Sequence, residues 1–152
     1  LFLKNAAGEP RLMSYESLSE GGFATGTMLG SGGFIAMDET TCIVHNTWTL
    51  ARFYHHESCG QCSPCREGTG WMEKVLHRLE FGHGHMHDID LLVEIASKIE
   101  GNTICPLGDA AAWPVAAAIR HFRDEFEYHV KHADKVKGSR KAHLPNYKTA
   151  TV

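Results

Sequence analysis

Three cysteines at intervals of three residues, Cys59, Cys62 and Cys65, are the feature that most constrains this chain. They lie in the stretch ESCGQCSPCREGTGW, and one tight loop can direct all three sulfur atoms towards a common centre. A fourth cysteine, Cys105, precedes a proline in a distant segment. The pattern C-x2-C-x2-C with a remote C-P is typical of the ligands of a [4Fe-4S] cluster.

Zinc binding and disulfide formation are alternative uses of these thiols. Structural zinc usually takes two pairs of ligands from separate loops, whereas here three candidate ligands share one loop. The chain has five cysteines, an odd number that full disulfide pairing would leave incomplete, and 152 residues do not need cross-links to fold. The spacing therefore favours an iron-sulfur cubane over zinc, and ranks a disulfide below both.

Charge and hydropathy exclude several other classes of protein. The formal net charge of −3 gives no electrostatic reason to bind nucleic acid or an anionic membrane. No stretch approaches the roughly 18 apolar residues that a spanning helix needs, so direct membrane insertion is not expected. The chain begins without methionine, and we expect it to be cut from a longer protein.

Three parts of the chain differ in composition. Residues 1–39 are rich in glycine and end near an apolar run at 34–37, which predicts turns that lead into a buried strand. Residues 40–132 place apolar side chains at helical spacing. Residues 133–152 are basic and poor in apolar side chains, which predicts a disordered tail or one draped over a neighbour.

Four amphipathic helices are predicted in the middle part. The first covers 41–57, the second has Ser63 as its N-cap, and the third is capped by Asp88. The fourth is either capped by Asp109 and kinked at Pro114, or has Pro114 at its first position. Short connections between such helices suggest a bundle, so the chain is predicted to be mainly α.

The predicted second helix would also help to hold a cluster. Its N-terminus carries partial positive charge, which together with Arg66 can stabilise the negative charge of four thiolates on a cubane. Gly60 and Gly68 are predicted to let the backbone approach the inorganic sulfides closely.

Two long blocks of this sequence resemble a known family. YHHESCGQCSPCREGTGWMEKVL and IEGNTICPLGDAAAWPVAAAIRHFRDE closely resemble the carboxy-terminal part of the flavoprotein (51 kDa) subunits of respiratory complex I, the NADH-quinone oxidoreductase. The resemblance implies that a [4Fe-4S] cluster accepts single electrons from reduced FMN and passes them towards quinone. It implies as its ligands Cys59, Cys62, Cys65 and Cys105. It also implies a four-helix cluster domain at 40–132, preceded by the end of a β-grasp domain at 1–39.

The resemblance further implies cofactors and partners outside this chain. FMN and NADH bind an amino-terminal domain of the family, and no G-x-G-x-x-G fingerprint occurs here. Alone, the chain is expected to be an electron-transfer module, with Pro106 and Leu107 as candidate contacts to FMN. The implied partners are the small [2Fe-2S] subunit and the large iron-sulfur subunit of complex I. The implied location is peripheral, on the cytoplasmic side of a bacterial inner membrane or the matrix side of the mitochondrial one.

Two other functions compete with this interpretation. By resemblance, the same domain occurs in the diaphorase subunits of NAD-reducing or electron-bifurcating hydrogenases and of NAD-dependent formate dehydrogenases. The non-enzymatic alternative is a zinc-stabilised helical interaction module, which would bind zinc through the same cysteines.

Cys42 and three alternating histidines are further candidate ligands. Cys42 lies near the start of the first predicted helix, where a small buried residue is the favoured interpretation. His83, His85 and His87 could hold a divalent metal ion. An exposed loop between helices is favoured for them, because a glycine-rich turn gives the three rings no fixed geometry.

Overall fold

A computed structural model describes residues 2–4, 10–12, 14–15, 30, 32–33 and 35–142 of the chain. Contacts divide it into one unit of Leu1–Asp38 with Lys148–Val152 and a second unit of Glu39–Tyr147. In the first unit, strands β1 (Phe2–Lys4) and β2 (Pro10–Leu12) pair antiparallel. Most of the segment predicted to end a β-grasp domain lies outside the described residues, and no β-grasp is visible in the remainder.

The buried strand predicted at 34–37 is not found where the structure describes this run. Residues 35–38 are irregular, and Ile35 and Met37 are exposed. An apolar run becomes a buried strand only when a neighbouring strand or helix covers it.

The second unit is helical, which confirms the predicted mainly α class. Its helices are α1 (Ile43–Glu57), α2 (Ser63–Glu80), α3 (Met86–Ile99), α4 (Leu107–Lys131) and the short α5 (Ala133–Val136). Helices α1 to α4 pack pairwise, with α1 against α2 and α4, and α3 against α2 and α4. Each buries one apolar stripe, as amphipathic helices in a bundle do. The largest wholly buried apolar side chains are Val44, Met72, Leu76, Leu79, Ile89, Leu92, Ile99, Val115 and Phe126.

The starts of α2 and α3 differ from the predicted ones by a few residues. Ser63 is the first residue of α2, and Cys62 occupies the N-cap position before it. Asp88 lies in the first turn of α3, after the N-cap residue His85. Its carboxylate accepts a hydrogen bond from the His85 backbone N–H at 2.9 Å. Asp88 therefore satisfies an orphan donor at the helix start from inside the helix, as the acidic residue of a capping box does.

Both predicted starts of α4 were wrong. The helix begins at Leu107, directly after Pro106, and it continues through Pro114. A proline inside a helix removes one hydrogen bond, but its φ is compatible with helical backbone. The break in helical dihedral angles lies further on, at Phe122, with φ −133° and ψ 30°.

The first half of the predicted tail is ordered in the structure. Val136 in α5 is wholly buried, and Thr41 forms an isolated antiparallel bridge with Lys141. The Cys42 backbone N–H donates to the Arg140 carbonyl at 3.1 Å. This segment therefore closes over the start of α1, and residues 143–152 lie outside the described residues.

Candidate metal centre

The loop between α1 and α2 presents the three clustered cysteines. α1 ends at Glu57, and Gly60 adopts a positive φ of 79°, which reverses the chain at little steric cost. Cys62 then caps α2, and Cys65 lies in its first turn. Cys59 is exposed, Cys62 is half-buried and Cys65 is buried. The three thiols thus run from the surface to the edge of the helical core.

Ser58 organises this loop, although nothing in the sequence singled it out. Its hydroxyl lies 3.3 Å from Cys65 Sγ and accepts from the Gly60 backbone N–H at 3.4 Å. Thr69 donates to the Cys65 carbonyl at 2.7 Å, one turn along α2. Polar contacts of this kind fix the direction of a thiol, as partners outside the ligand shell do at metal sites.

The structure brings the remote cysteine loop against this one. The Ile104 backbone N–H donates to Cys62 Sγ at 3.4 Å across 42 positions of sequence. Cys105 follows directly and is exposed, and its carbonyl accepts from the Thr103 hydroxyl at 2.9 Å. The loop is anchored at its base, where Gly101 N–H donates to Asp109 Oδ1 at 2.7 Å. Both cysteine loops therefore meet at the N-terminal ends of α2 and α4.

Arg66 places a cation on the same face and ties it to the loop. Its Nη1 donates to the Gly60 carbonyl at 2.8 Å and its Nη2 to Ser63 Oγ at 3.3 Å. Its Nε donates to Glu67, in a pair exposed to solvent. An exposed ion pair contributes little stability, so the contact to the Gly60 carbonyl is the one that shapes the loop.

The thiols of the two cysteine loops are not drawn together as tightly as the ligands of a single zinc ion. Tetrahedral zinc with bonds of about 2.3 Å to sulfur requires sulfur atoms roughly 3.8 Å apart. Within the part of the chain that the structure describes, no three of the four sulfur atoms lie within 4.8 Å of one another. The Ile104 backbone N–H and the Ser58 hydroxyl lie beside the sulfur atoms of Cys62 and Cys65.

Gly68 has a different role from the predicted one. A Cβ at this position would lie 2.7 Å from Cδ1 and Cγ1 of Ile99. The glycine therefore permits close packing of α2 on α3, whereas Gly60 lies in the cysteine loop itself.

Pro106 and Leu107 lie directly beside Cys105. Pro106 is exposed and Leu107, the first residue of α4, is half-buried. Their contact with FMN remains a prediction.

His83, His85 and His87 are all exposed, and among the described residues none of them belongs to a group of side chains that could hold a metal ion.

A group of buried side chains in the core, which the sequence patterns did not predict, could hold a metal ion. Cys42 is wholly buried, as favoured, but its Sγ lies 3.3 Å from Nε2 of His129. Glu80 and Glu125 are buried beside them. One sequence signal was available: both glutamates fall at positions that the helical spacing assigns to the buried faces of their helices, where charged side chains are rare.

No helix in the described ranges has both the length and the apolar character that crossing a bilayer requires.

Comparison with known proteins identifies the relatives of this chain. An NADH-quinone oxidoreductase subunit from Rickettsia bellii is 51% identical over 119 residues, which are 78% of this chain and 28% of that subunit. The NADH-quinone oxidoreductase subunit of the same type from Rhizobium meliloti is 49% identical over 116 residues, 76% of this chain and 26% of that subunit. The chain thus spans between a quarter and a third of the length of these relatives.

A solved structure is also similar. The crystal structure of NAD+-reducing [NiFe]-hydrogenase in the H2-reduced state matches with a TM-score of 0.56 and 32% identity, over 59% of this chain and 15% of that one. The family model of the NADH-ubiquinone oxidoreductase-F iron-sulfur binding region matches residues 45–129, which include all four cysteines of the candidate centre. The resemblance drawn from the cysteine blocks is confirmed, and the chain belongs to the family of NADH-ubiquinone oxidoreductase-F iron-sulfur binding regions.

Proposed function

We propose that this chain is the iron-sulfur part of an NADH-oxidising flavoprotein subunit of complex I, and that it accepts single electrons on one [4Fe-4S] cluster. The proposed ligands are Cys59, Cys62, Cys65 and Cys105. The observation that carries the proposal is the hydrogen bond from Ile104 N–H to Cys62 Sγ, which joins the two cysteine loops.

The cluster, when bound, would store and release one electron at a time. The chain's own residues orient and surround it. Ser58 directs the Cys65 thiol, and the backbone N–H of Ile104 offers the Cys62 sulfur a donor. Hydrogen bonds to the sulfurs and nearby positive charge raise the reduction potential of such a centre. Arg66 and the N-terminus of α2 provide that charge on the same side.

Electrons would enter and leave through the exposed side of the centre. Cys59 and Cys105 are exposed, and Ile104 between the loops is 87% exposed. An apolar side chain in this position is suited to coverage by another domain or subunit. We propose that Pro106 and Leu107 face FMN of an amino-terminal domain, which also binds NADH.

The proposed partners follow from the family. They are the small [2Fe-2S] subunit and the large iron-sulfur subunit of complex I, which would receive electrons on their way to quinone. The proposed location is peripheral, on the cytoplasmic or matrix side of the membrane.

A diaphorase subunit of an NAD-reducing hydrogenase is the second candidate. It is favoured by the structural similarity to the NAD+-reducing [NiFe]-hydrogenase at 32% identity. The higher identity to the NADH-quinone oxidoreductase subunit of Rickettsia bellii, 51%, places complex I first. Co-purification of the native protein with hydrogenase subunits instead of quinone-reducing subunits would reverse this order.

Anaerobic reconstitution with iron and sulfide tests the proposal. The full chain, mixed with photochemically reduced FMN, is expected to take up one electron and to give an EPR signal of one unpaired spin per chain. A colourless chain that binds zinc through Cys59, Cys62, Cys65 and Cys105 and gives no such signal would support the interaction module instead.

A further inference from the structure

We propose that the bundle core contains a second metal site, a mononuclear zinc site formed by Cys42, Glu80 and His129 with Glu125 as the fourth ligand. The site lies apart from the cysteine loops and is independent of the proposed electron transfer. Its residues come from three places: the cap of α1, the end of α2 and the last turns of α4.

Three of these side chains bring possible metal ligands close together. Among the described residues, ligand atoms of Cys42, Glu80 and His129 all lie within 4.8 Å of one another. Cys42 Sγ lies 3.3 Å from His129 Nε2, and His129 Nδ1 lies 3.7 Å from Glu80 Oε2. In tetrahedral zinc, sulfur and nitrogen ligands are about 3.5 Å apart. These two distances involve different ring nitrogens of His129, and a single zinc ion would bind only one of them. Either Cys42 or Glu80 would therefore move towards that nitrogen to complete the coordination.

In Glu80 and in Glu125 one carboxylate oxygen has a hydrogen-bond partner, and the other oxygen is buried without one. Glu80 Oε1 bonds to His45 Nδ1 at 2.8 Å, and Glu125 Oε1 accepts from the Ile43 N–H at 3.3 Å. The Oε2 atoms of both are buried and have no hydrogen-bond partner among the described residues. Buried polar atoms without partners are costly, and a metal ion is one of the few groups that can satisfy two carboxylates together.

The surroundings supply the outer contacts that metal ligands require. The His45 backbone N–H donates to Cys42 Sγ at 3.4 Å, and the His45 side chain holds Glu80. The N-terminus of α1 thus directs positive partial charge at the anionic ligands. Thiolate and two carboxylates carry three negative charges, and a divalent ion with these donors offsets most of them.

Proton affinities agree with this arrangement. Burial raises the pKa of the Cys42 thiol, and burial together with Glu125 raises the pKa of Glu80 to about 8. Burial raises the pKa of Glu125 to about 7. Without metal the site therefore retains protons near neutral pH, and a metal ion would displace them. Sulfur, imidazole and carboxylate donors together suit zinc better than calcium or magnesium.

The test uses the full chain, loaded with its iron-sulfur cluster and produced in medium containing Zn²⁺. Cys42, Glu80 and His129 are wholly buried, so the ion must enter before the bundle closes, and metal is measured on the protein as purified. Elemental analysis is expected to give one zinc per chain in addition to iron. Zinc X-ray absorption is expected to give one sulfur neighbour at about 2.3 Å and nitrogen or oxygen neighbours at about 2.0–2.2 Å.

Glu80→Gln keeps the shape of the side chain but removes its charge, and zinc is expected to be lost. Glu127→Gln is the matched control, because it removes a carboxylate that pairs with Lys131 on the same helix as His129, and it is expected to retain zinc. His45→Gln removes a contact to Glu80 and is expected to lower the zinc content of the purified protein. Iron content and circular dichroism report whether each variant folds.

Two results would overturn the proposal. One is wild-type protein without stoichiometric zinc. The other is a zinc shell of three or four sulfur atoms, which would place the ion in the cysteine loops. The X-ray absorption measurement is made on the wild type, so it decides the question even if Glu80→Gln does not fold.

Discussion

The backbone N–H of Ile104 donates a hydrogen bond to Cys62 Sγ at 3.4 Å, although 42 residues separate them in sequence. Helices α2 and α3 lie between the two positions. The contact therefore joins the start of α2 to the loop before α4, and a cluster bound there would hold these two segments together at one end of the bundle. Loss of the cluster is expected to loosen the helical unit as well as to abolish redox activity.

Replacement of Arg66 tests how charge tunes the centre. Arg66→Gln removes a cation whose Nη1 contacts the Gly60 carbonyl at 2.8 Å in the cysteine loop. The reduction potential is expected to fall, because positive charge stabilises the added electron. Arg66→Lys keeps the charge and is expected to cause a smaller fall. An EPR-monitored redox titration measures both, with Arg120→Gln on the exposed surface of α4 as the control. Equal potentials in Arg66→Gln and wild type would contradict this role.

Gly68 is predicted to be a packing position. Gly68→Ala would place a methyl group 2.7 Å from two side-chain atoms of Ile99, and overpacking of this kind costs about 1–3 kcal/mol. Ile99→Ala leaves a cavity and costs about 2–5 kcal/mol. The double variant is expected to lose less than the sum, because the new methyl group occupies part of the cavity, with a coupling on the order of 1 kcal/mol.

Thermal or chaotrope-induced unfolding of wild type, the two single variants and the double variant gives the coupling energy between Gly68 and Ile99. Strictly additive losses would mean that Gly68 and Ile99 do not pack against each other as described.

The buried carboxylates predict a pH dependence of stability in zinc-free protein. Burial and the neighbouring Glu125 raise the pKa of Glu80 from its ordinary 4.5 to about 8 in the folded state. Between these values the folded chain holds a proton that the unfolded chain has released. The free energy of unfolding therefore falls as pH rises through this window and levels off above it. Glu125, with a pKa raised to about 7, acts in the same direction.

Glu80→Gln removes one of these two titrating groups, so the free energy of unfolding should fall less steeply with rising pH. The measurement is the difference in melting temperature between the variant and wild type, both loaded with cluster, at about pH 5 and about pH 8. The contribution of the cluster cancels in that difference. A difference that does not change with pH would show that Glu80 is charged in the folded protein.

The sequence predicted the presence of the four helices and the approach of the two cysteine loops. It did not predict where the helices begin or the group of buried polar side chains around Cys42. Apolar spacing located α1 to α4 because each helix buries one stripe, and the cysteine spacing is local to one loop. The starts of α3 and α4 were missed because His85 and Pro106 hold cap positions that residue preference does not assign to them. Such positions are set by tertiary contacts.

The buried Cys42 cluster could not be predicted because its members are far apart in sequence. Cys42 and His129 are 87 positions apart, and only the packing of α1 against α4 brings them together. Gly68 shows the same limit, because a glycine inside a helical pattern can mark a packing contact but does not show which residue makes it. In this chain Ile99 is that partner.

The most direct test of the proposed iron-sulfur centre compares Cys105→Ser with Cys42→Ser. Both remove one thiol, but only Cys105 belongs to the loop that meets Cys62. Iron content and the EPR signal of the reduced protein are measured for both and for wild type, after anaerobic reconstitution. We expect four iron atoms per chain in wild type and in Cys42→Ser, and a lost or altered cluster in Cys105→Ser. Unchanged iron content and an unchanged reduced-state signal in Cys105→Ser would contradict the assignment.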